Sequence, residues 1–172
     1  MKKFKIQELE EQYSPTRWSK RYSDEEIIGA HVRIASERSQ AARNTVSHRC
    51  NIFYGQGPRA SLDVYGEDLP PESTVLVYVH GGYWRRLSKD VSSYAVLPLY
   101  NHGVITVVVG YDLAPQVSVE EIVEEVRAAV VWACRLARER GSRSVVVAGW
   151  SAGAQLITQV KLWQSVRVCL LE

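Results

Sequence analysis

Three short runs of almost wholly apolar residues stand out along the chain: Val75–Val79, Val104–Val109 and Val145–Ala148. Such a run is apolar on both faces, which is typical of a strand buried on both sides within a parallel sheet. Patterns with helical spacing separate the runs, at roughly 89–101 and roughly 119–140. This alternation of strand and helix predicts an α/β fold, with a mostly parallel sheet, right-handed crossovers and flanking helices.

Two helices carry the spacing of a capping box, in which a Ser is followed three positions later by a Glu. Ser118 and Glu121 open the longer of the two separating helices, and Gly141 follows its last turn, where a left-handed residue is favoured. Ser23 and Glu26 predict the start of an earlier helix. His31 lies on or near the apolar stripe of that helix, and we expect a packed side chain there rather than a catalytic one.

The region before the first apolar run divides into a tail, this early helix and a hairpin. Residues 1–22 are polar with scattered aromatics and predict an N-terminal tail that straps onto the body. Two β-like runs, Val46–Tyr54 and Ser61–Tyr65, enclose Gly and Pro residues and predict an antiparallel hairpin. Because 172 residues fit one core and not two, we expect a single domain at 23–172 after the tail.

Composition and charge narrow the class of protein. The chain has 21 basic and 19 acidic residues, a net charge of +2 and no Lys/Arg block. It therefore lacks the basic patch that is typical of a nucleic-acid-binding protein. Cys50, Cys134 and Cys169 are too few and too widely spaced for a disulfide framework or a structural zinc site, so we expect neither and infer a reducing compartment. The N-terminus is charged, not a signal peptide, and no apolar run approaches the ~20 residues of a membrane helix. We therefore expect a cytoplasmic protein without a membrane partner.

A Gly-x-Ser-x-Gly motif, Gly149 to Gly153, lies directly after the third apolar run and before an apolar, helix-like stretch. A strand that turns into a helix this tightly needs small residues two positions either side of the central Ser. The turn then presents that Ser above the sheet at a helix N-terminus. Ser151 is therefore predicted to be a catalytic nucleophile.

A second candidate, His80-Gly81-Gly82-Tyr83-Trp84, follows the first apolar run. Sites in open α/β sheets form at the carboxyl ends of the strands, so this loop is expected at the same edge as the Ser. Its paired glycines leave backbone N–H groups free, and we predict an oxyanion hole made by the amide of Ala152 with that of Gly82 or Tyr83. The two aromatic residues of the loop either wall an aromatic pocket or only pack over the sheet.

Four segments carry a family resemblance: Tyr13–Trp18, His80–Trp84, Tyr111–Pro115 and Gly149–Ala154. Together they resemble the kynurenine formamidases, also called arylformamidases, which are α/β-hydrolases related to esterases. The likeness runs from about residue 10 to about residue 157, and the His-Gly-Gly-Tyr-Trp string is its most specific part. One departure is Trp150, at a position where formamidases usually carry His.

The resemblance implies hydrolysis of N-formyl-L-kynurenine to L-kynurenine and formate in tryptophan breakdown. It implies a Ser-Asp-His triad, no metal, no cofactor, a small-molecule substrate similar to N-formylkynurenine, and a cytoplasmic location with a nuclear share. Carried over by position, Ser151 is the nucleophile of this triad, and the loop that begins at His80 is the oxyanion loop.

The other two triad members have no counterpart in the sequence. In the α/β-hydrolase order the acid and then the His follow the Ser, yet no Asp and no His follow Ser151. Asp112 is expected to be structural, and His80 to order its loop. The four histidines, all before the Ser, are His31, His48, His80 and His102. We therefore expect a C-terminally truncated and nearly inactive chain, because losing triad members lowers turnover by about 10⁴–10⁶.

Truncation affects the expected sheet as well. The domain at 23–172 becomes an incomplete α/β-hydrolase domain, and residues 166–171 either supply a stub of the next strand or form an unrelated tail. An open apolar edge invites self-association, which leaves a homodimer open. Three functions stay open on the sequence: a formamidase, a short-acyl esterase on the same fold, and a non-catalytic truncated isoform that binds a partner.

Overall fold

The computed structural model describes residues 6–160 and the backbone of residues 166–171. It shows a six-stranded sheet between two layers of helices. The strands are β1 (His48–Phe53), β2 (Ser61–Tyr65), β3 (Val75–Val79), β4 (Ile105–Val109), β5 (Val145–Trp150) and β6 (Val166–Leu171). The helices are α1 (Ile6–Gln12), α2 (Glu26–Thr45), α3 (Val96–Asn101), α4 (Val119–Arg140) and α5 (Ala152–Gln159), with 3₁₀ turns at Pro15–Trp18 and Lys89–Val91.

The strand order is β1-β2-β4-β3-β5-β6. β1, β2 and β4 are antiparallel neighbours, whereas β4, β3, β5 and β6 run parallel. This confirms the predicted α/β fold, its mostly parallel sheet and the antiparallel hairpin. Val79 at the end of β3 pairs with Gly149 near the end of β5, so the loops that follow these two strands leave the same edge of the sheet side by side.

The continuous apolar runs are explained by burial on both faces. Val77 and Val79 belong to the cluster that packs α4 and α5 onto one face of the sheet. Tyr78, between them, belongs to the cluster under α2 and α3 on the other face. Each central strand therefore buries odd and even positions alike, as a parallel sheet covered by helices requires.

The ends of α4 agree with the sequence signals. The Ser118 hydroxyl accepts a hydrogen bond from the Glu121 amide, and the Glu121 carboxylate accepts one from the Ser118 amide, so the capping box is complete. Gly141 follows the helix in the left-handed conformation, with φ at 77°. Both ends are thus fixed by local chemistry that the sequence contains.

Two other helix predictions were wrong in part. At Ser23 the hydroxyl donates to the Glu26 carboxylate instead of accepting from a backbone amide, so only the Glu half of the box forms. The helix expected over 89–101 is split into a 3₁₀ turn and α3. The split occurs where the Ser93 amide donates to the Ser39 hydroxyl of α2, a tertiary contact that replaces an intrahelical hydrogen bond.

For residues 166–171 the sequence left two alternatives open, a strand or an unrelated tail, and the structure shows the strand. β6 pairs in parallel with β5 from Val166 to Leu171. β5 is therefore an interior strand of the sheet, and the edge strands in the described part of the chain are β6 and, on the opposite side, β1. The homodimer remains a prediction.

Candidate active site

The turn between β5 and α5 consists of one residue, Ser151. Its backbone has φ 52° and ψ −119°, a conformation that L-amino acids adopt only under strain. The side chain is exposed, and its hydroxyl forms no hydrogen bond with any described residue. The sharp turn thus presents an unengaged hydroxyl at the N-terminus of α5, as the motif predicts.

The two glycines of the motif are required by close backbone contacts. A Cβ at Gly149 would lie 2.5 Å from the Gly153 carbonyl carbon. A Cβ at Gly153 would lie 2.2 Å from the Val79 carbonyl oxygen and 2.5 Å from that of His80. The first turn of α5 therefore rests directly on the end of β3, and no side chain fits between them.

The loop after β3 reaches the same turn. A Cβ at Gly81 would lie 2.7 Å from the Trp150 carbonyl oxygen and 3.2 Å from Ser151 Cβ, so the loop backbone lies against the nucleophile candidate. Gly82 has φ 115°, and the amides of Arg85 and Arg86 both donate to its carbonyl oxygen, at 3.1 and 2.9 Å. This tight turn fixes the loop beside Ser151.

Several backbone amides around the turn are free to donate a hydrogen bond. The N–H groups of Gly82, Tyr83 and Ala152 have no acceptor among the described residues. Tyr83 has φ 57°, as part of a left-handed stretch that continues into Trp84 with φ 58°. Free amides on two sides of one serine are what an oxyanion hole needs.

The two aromatic residues of the loop have different surroundings. The Trp84 indole donates a hydrogen bond of 3.1 Å to the Gln155 side chain on α5, and its ring packs against the core. Tyr83 is 73% exposed and lines the cleft above the serine. Of the two readings that the sequence left open, packing therefore describes Trp84 and pocket lining describes Tyr83.

His80 is a buried and neutral side chain. Its Nδ1 lies 2.7 Å from the Gly81 carbonyl oxygen, and its ring stacks on Tyr111 with centroids 4.2 Å apart. Burial lowers the pKa of His80 to about 4. Since the buried Nε2 has no partner within the described chain, the side chain is held by one hydrogen bond and one ring contact, which order the oxyanion loop candidate.

A cleft of about 920 Å³ opens over Ser151. Its walls come from the 3₁₀ turn of the N-terminal segment, from α2, from the loop after β3 and from Ala114–Gln116. Its lining residues are Pro15, Thr16, Ile27, Ile28, His31, Val32, Gly82, Tyr83, Arg85, Arg86, Leu87, Ala114, Pro115, Gln116, Trp150 and Ser151. The N-terminal segment thus contributes directly to the site.

His31 differs from the sequence prediction. Its side chain is exposed, lines this cleft and lies over the Trp150 ring, with centroids 5.0 Å apart. The expectation of a packed histidine was wrong because His31 lies on the N-terminal part of α2, which lines the cleft, whereas Ala35 further along the same stripe is buried. Of the other histidines, His48 stacks on Tyr65 and His102 caps the end of α3, both outside the cleft lining.

Asp112 has a structural environment. It is buried, and its carboxylate accepts a hydrogen bond of 2.8 Å from the Arg59 amide, while its own amide donates to Glu125. No cluster of three or more potential metal-ligating side chains occurs within the described residues. No helix among them is both long and apolar enough to cross a membrane.

The sequence patterns missed a buried ion pair near the site. Lys89 donates at 2.8 Å to both Asp63 and Asn51, with Lys89 6% and Asp63 0% exposed. It fixes the 3₁₀ turn after the oxyanion loop candidate onto β2. Burial of a lysine gives no local sequence signal, since its partner lies 26 positions away.

The fold, the strained serine turn and the facing loop are those of an α/β-hydrolase. The chain matches, over residues 76–168, the family described as alpha/beta hydrolase fold (Abhydrolase_3), and it belongs to that family. Its relatives include the kynurenine formamidase of Salmo salar, 37% identical over 158 residues, which confirms the resemblance found in the motifs. That match covers 89% of this chain and 52% of the relative.

Two further relatives are esterases or related to them. Esterase LipC of Mycobacterium tuberculosis is 34% identical over 114 residues, covering 63% of this chain and 28% of the esterase. The crystal structure of a putative thioesterase from Silicibacter sp. superposes with a TM-score of 0.68 at 25% identity, over 87% of this chain and 54% of that one. The chain spans about half the length of the curated formamidase it matches.

Proposed function

We propose that this chain carries the nucleophile half of an acyl hydrolase site, with Ser151 as the nucleophile. The observation that carries the proposal is the strained, exposed Ser151 facing the loop at Gly81, whose Cβ position lies 3.2 Å from Ser151 Cβ. The free amides of Ala152 and of Gly82 or Tyr83 stabilise the oxyanion. Each such donor contributes about 3–4 kcal/mol in the transition state.

The proposed substrate class is an N-formyl aryl amine, with N-formyl-L-kynurenine as its representative. Two findings support it: the similarity to kynurenine formamidases over most of the chain, and the aromatic walls of the cleft at Trp150, Tyr83 and His31. These rings are suited to hold the aromatic ring of such a substrate, because aromatic groups pack favourably face to face or edge to face.

The reaction proceeds in two halves. Ser151 Oγ attacks the formyl carbon, the C–N bond breaks, and the aryl amine leaves with a proton while the formyl group stays on Oγ as an ester. Water then hydrolyses this ester, which releases formate and returns a proton to Ser151. The step needs a base, since a serine hydroxyl is a weak nucleophile on its own.

The 172-residue polypeptide has no His or Asp after Ser151, so a base in the usual chain order is absent from it. We therefore expect turnover by this polypeptide to be lower than that of a complete triad enzyme by about 10⁴–10⁶. His31 is the histidine within the lining of the cleft, which makes His31→Gln an informative variant.

The test is turnover of N-formyl-L-kynurenine by the folded polypeptide, beside Ser151→Ala and His31→Gln. Ser47→Ala, at an exposed serine outside the cleft lining, is the matched control. Slow turnover that Ser151→Ala abolishes and Ser47→Ala retains supports the proposal. Turnover that survives Ser151→Ala overturns it. A fall in kcat in His31→Gln at unchanged KM assigns the base to His31 and contradicts the expectation of a missing base, whereas a rise in KM alone reflects the lost ring contact.

A short-acyl esterase is the second candidate, favoured by the similarity to esterase LipC over 114 residues. The same protein preparations distinguish it from the first. An esterase hydrolyses an acetyl ester faster than a formyl amide of the same aromatic group, and a formamidase does the reverse. If the folded chain hydrolyses neither substrate but still binds N-formylkynurenine, the result supports the third function, a non-catalytic isoform that acts by binding.

A further inference from the structure

The charged side chains that line the cleft over Ser151 are all cationic. Arg85 and Arg86 line it, His31 and Tyr83 are its other titratable groups, and no Asp or Glu is among the lining residues of the described chain. The remaining walls are apolar, aromatic or uncharged. A cleft with fixed positive charge and no compensating acid attracts anions from solution.

The two arginines are held in place by their backbone and not by ion pairs. Both amides donate to the Gly82 carbonyl oxygen, at 3.1 and 2.9 Å, so the guanidinium groups project from the same tight turn that supplies the oxyanion amides. Neither guanidinium belongs to a salt bridge within the described residues. Both side chains are exposed at the cleft and available to a ligand.

The arginines also line a second, smaller cavity of about 550 Å³. That cavity includes the Asp90 carboxylate and the Lys89 ammonium, which is already paired with Asp63. Its charges are therefore partly neutralised. In the larger cleft the arginines have no such competitor and share the space with the Trp150 ring.

We propose that Arg85 and Arg86 form a carboxylate-binding subsite of the cleft, so that the site selects aromatic acyl compounds that bear a carboxylate. The aromatic ring lies against Trp150 and His31, the carboxylate is held by the guanidinium groups, and the acyl carbon faces Ser151. Guanidinium–carboxylate hydrogen bonds are charge-assisted and directional, which favours this pairing over a neutral polar group. The inference deepens the proposed function of the same cleft and rests on it for the position of the acyl group only.

The proposed subsite also predicts how the charge of a ligand changes its affinity for the cleft. Because the cleft has no carboxylate in its described lining, a cationic group on the ligand finds no partner there. The expected order of affinity for ligands of one shape is anion, then neutral compound, then cation. An opposite or flat order contradicts a carboxylate subsite.

The experiment uses three probes that lack a formyl group: 4-phenylbutyrate, 4-phenylbutyramide and 4-phenylbutylamine. Binding to the ¹⁵N-labelled full chain is followed by NMR at the indole signal of Trp150, which the Trp150→Phe variant identifies. We expect the carboxylate to bind roughly tenfold more tightly than the amide and the amine to bind most weakly. Raising the salt from about 0.05 M to about 0.5 M should remove most of the difference between carboxylate and amide.

Variants connect the selectivity to the arginines. Arg85→Gln and Arg86→Gln should each weaken 4-phenylbutyrate about fivefold and leave 4-phenylbutyramide unchanged. Arg135→Gln, on the exposed face of α4, is the matched control and should change neither. Equal affinity of the carboxylate and the amide for the unmodified chain overturns the subsite without any variant. If 4-phenylbutyrate shifts other signals but leaves the Trp150 signal unchanged, it binds outside the larger cleft, for example in the smaller cavity. That result also overturns the proposed subsite.

The same measurements on Ser151→Ala separate this inference from the proposed function. Carboxylate selectivity is a binding property, so it should be the same in Ser151→Ala as in the unmodified chain. Selectivity without any Ser151-dependent turnover supports the subsite and counts against the hydrolase. Turnover without selectivity supports the hydrolase and counts against the subsite.

Discussion

The Trp84 indole nitrogen lies 3.1 Å from the Gln155 side-chain oxygen, and this hydrogen bond joins the loop after β3 to the helix that begins beside Ser151. The two halves of the candidate oxyanion hole, Gly82 and Tyr83 on the loop and Ala152 on the helix, therefore move together. Trp84 also accepts a hydrogen bond at its carbonyl oxygen from the Ala114 amide, at 2.9 Å. One tryptophan thus connects three of the segments that surround the cleft.

Replacing Gln155 by Met tests this connection. The substitution keeps the length of the side chain and removes the acceptor, which leaves the half-buried indole N–H without a partner. We expect the free energy of unfolding to fall by about 1 kcal/mol, measured by urea denaturation. Gln159→Met, at an exposed position of the same helix, should change it little. Equal effects of the two variants would show that the indole contact is not stabilising.

The glycines of the structure provide a paired test of backbone contact. Gly153→Ala brings a Cβ to 2.2 Å from the Val79 carbonyl oxygen, so α5 has to move off β3. We expect a loss of at least about 2 kcal/mol in the free energy of unfolding. Gly29→Ala, near the start of α2 with nothing within 4 Å of the added Cβ, should stabilise by up to about 1 kcal/mol. Thermal unfolding of both variants checks the opposite signs.

The backbone strain at Ser151 gives a third prediction. Glycine adopts φ 52°, ψ −119° without a Cβ clash, whereas alanine does not. We expect Ser151→Gly to be more stable than Ser151→Ala by about 1–2 kcal/mol, measured by urea denaturation. At Ser47, which has no positive φ, the order should reverse. If glycine is the weaker variant at both positions, the turn holds no strain.

The neutral His80 predicts a pH dependence of stability. Burial lowers its pKa from 6.5 in the unfolded chain to about 4 in the fold. Between those values the unfolded state binds a proton and the folded state does not, so stability is full above about pH 6.5 and falls as the pH drops toward 4. We expect the free energy of unfolding to fall by on the order of 3 kcal/mol more than that of His80→Gln over this pH range. That variant is the control, because its carboxylates titrate as they do in the unmodified chain. Parallel stability curves for the two proteins between pH 6.5 and 4 would contradict this account.

The serine turn could be predicted from the sequence because its requirements are local. Gly149, Ser151 and Gly153 are within one strand–turn–helix unit, and the clashes that exclude a Cβ involve the same unit and the neighbouring β3. The parallel strands could also be predicted from the sequence, because burial on both faces leaves an almost continuous apolar run. The capping box at Ser118 depends on two residues three positions apart.

The rest of the cleft depends on contacts between distant segments. His31 lies over Trp150 because the packing of α2 turns that face toward the cleft, and the amphipathic pattern does not distinguish a face toward the core from one toward a cleft. Arg85 and Arg86 resemble ordinary surface arginines until the turn at Gly82 carries them into the cleft lining. The break before α3 is set by Ser39, 54 positions from Ser93.

The strand order has a consequence for synthesis on the ribosome. β3 is made before both of its parallel neighbours, and its partner β5 follows about seventy residues later, after the whole of α4. At about 5–20 residues per second, one edge of an apolar strand is left open for several seconds in the nascent chain. Slower translation through α4 lengthens this interval, and an open strand edge favours pairing with neighbouring chains. The nucleophile turn is completed only when β5 closes that edge.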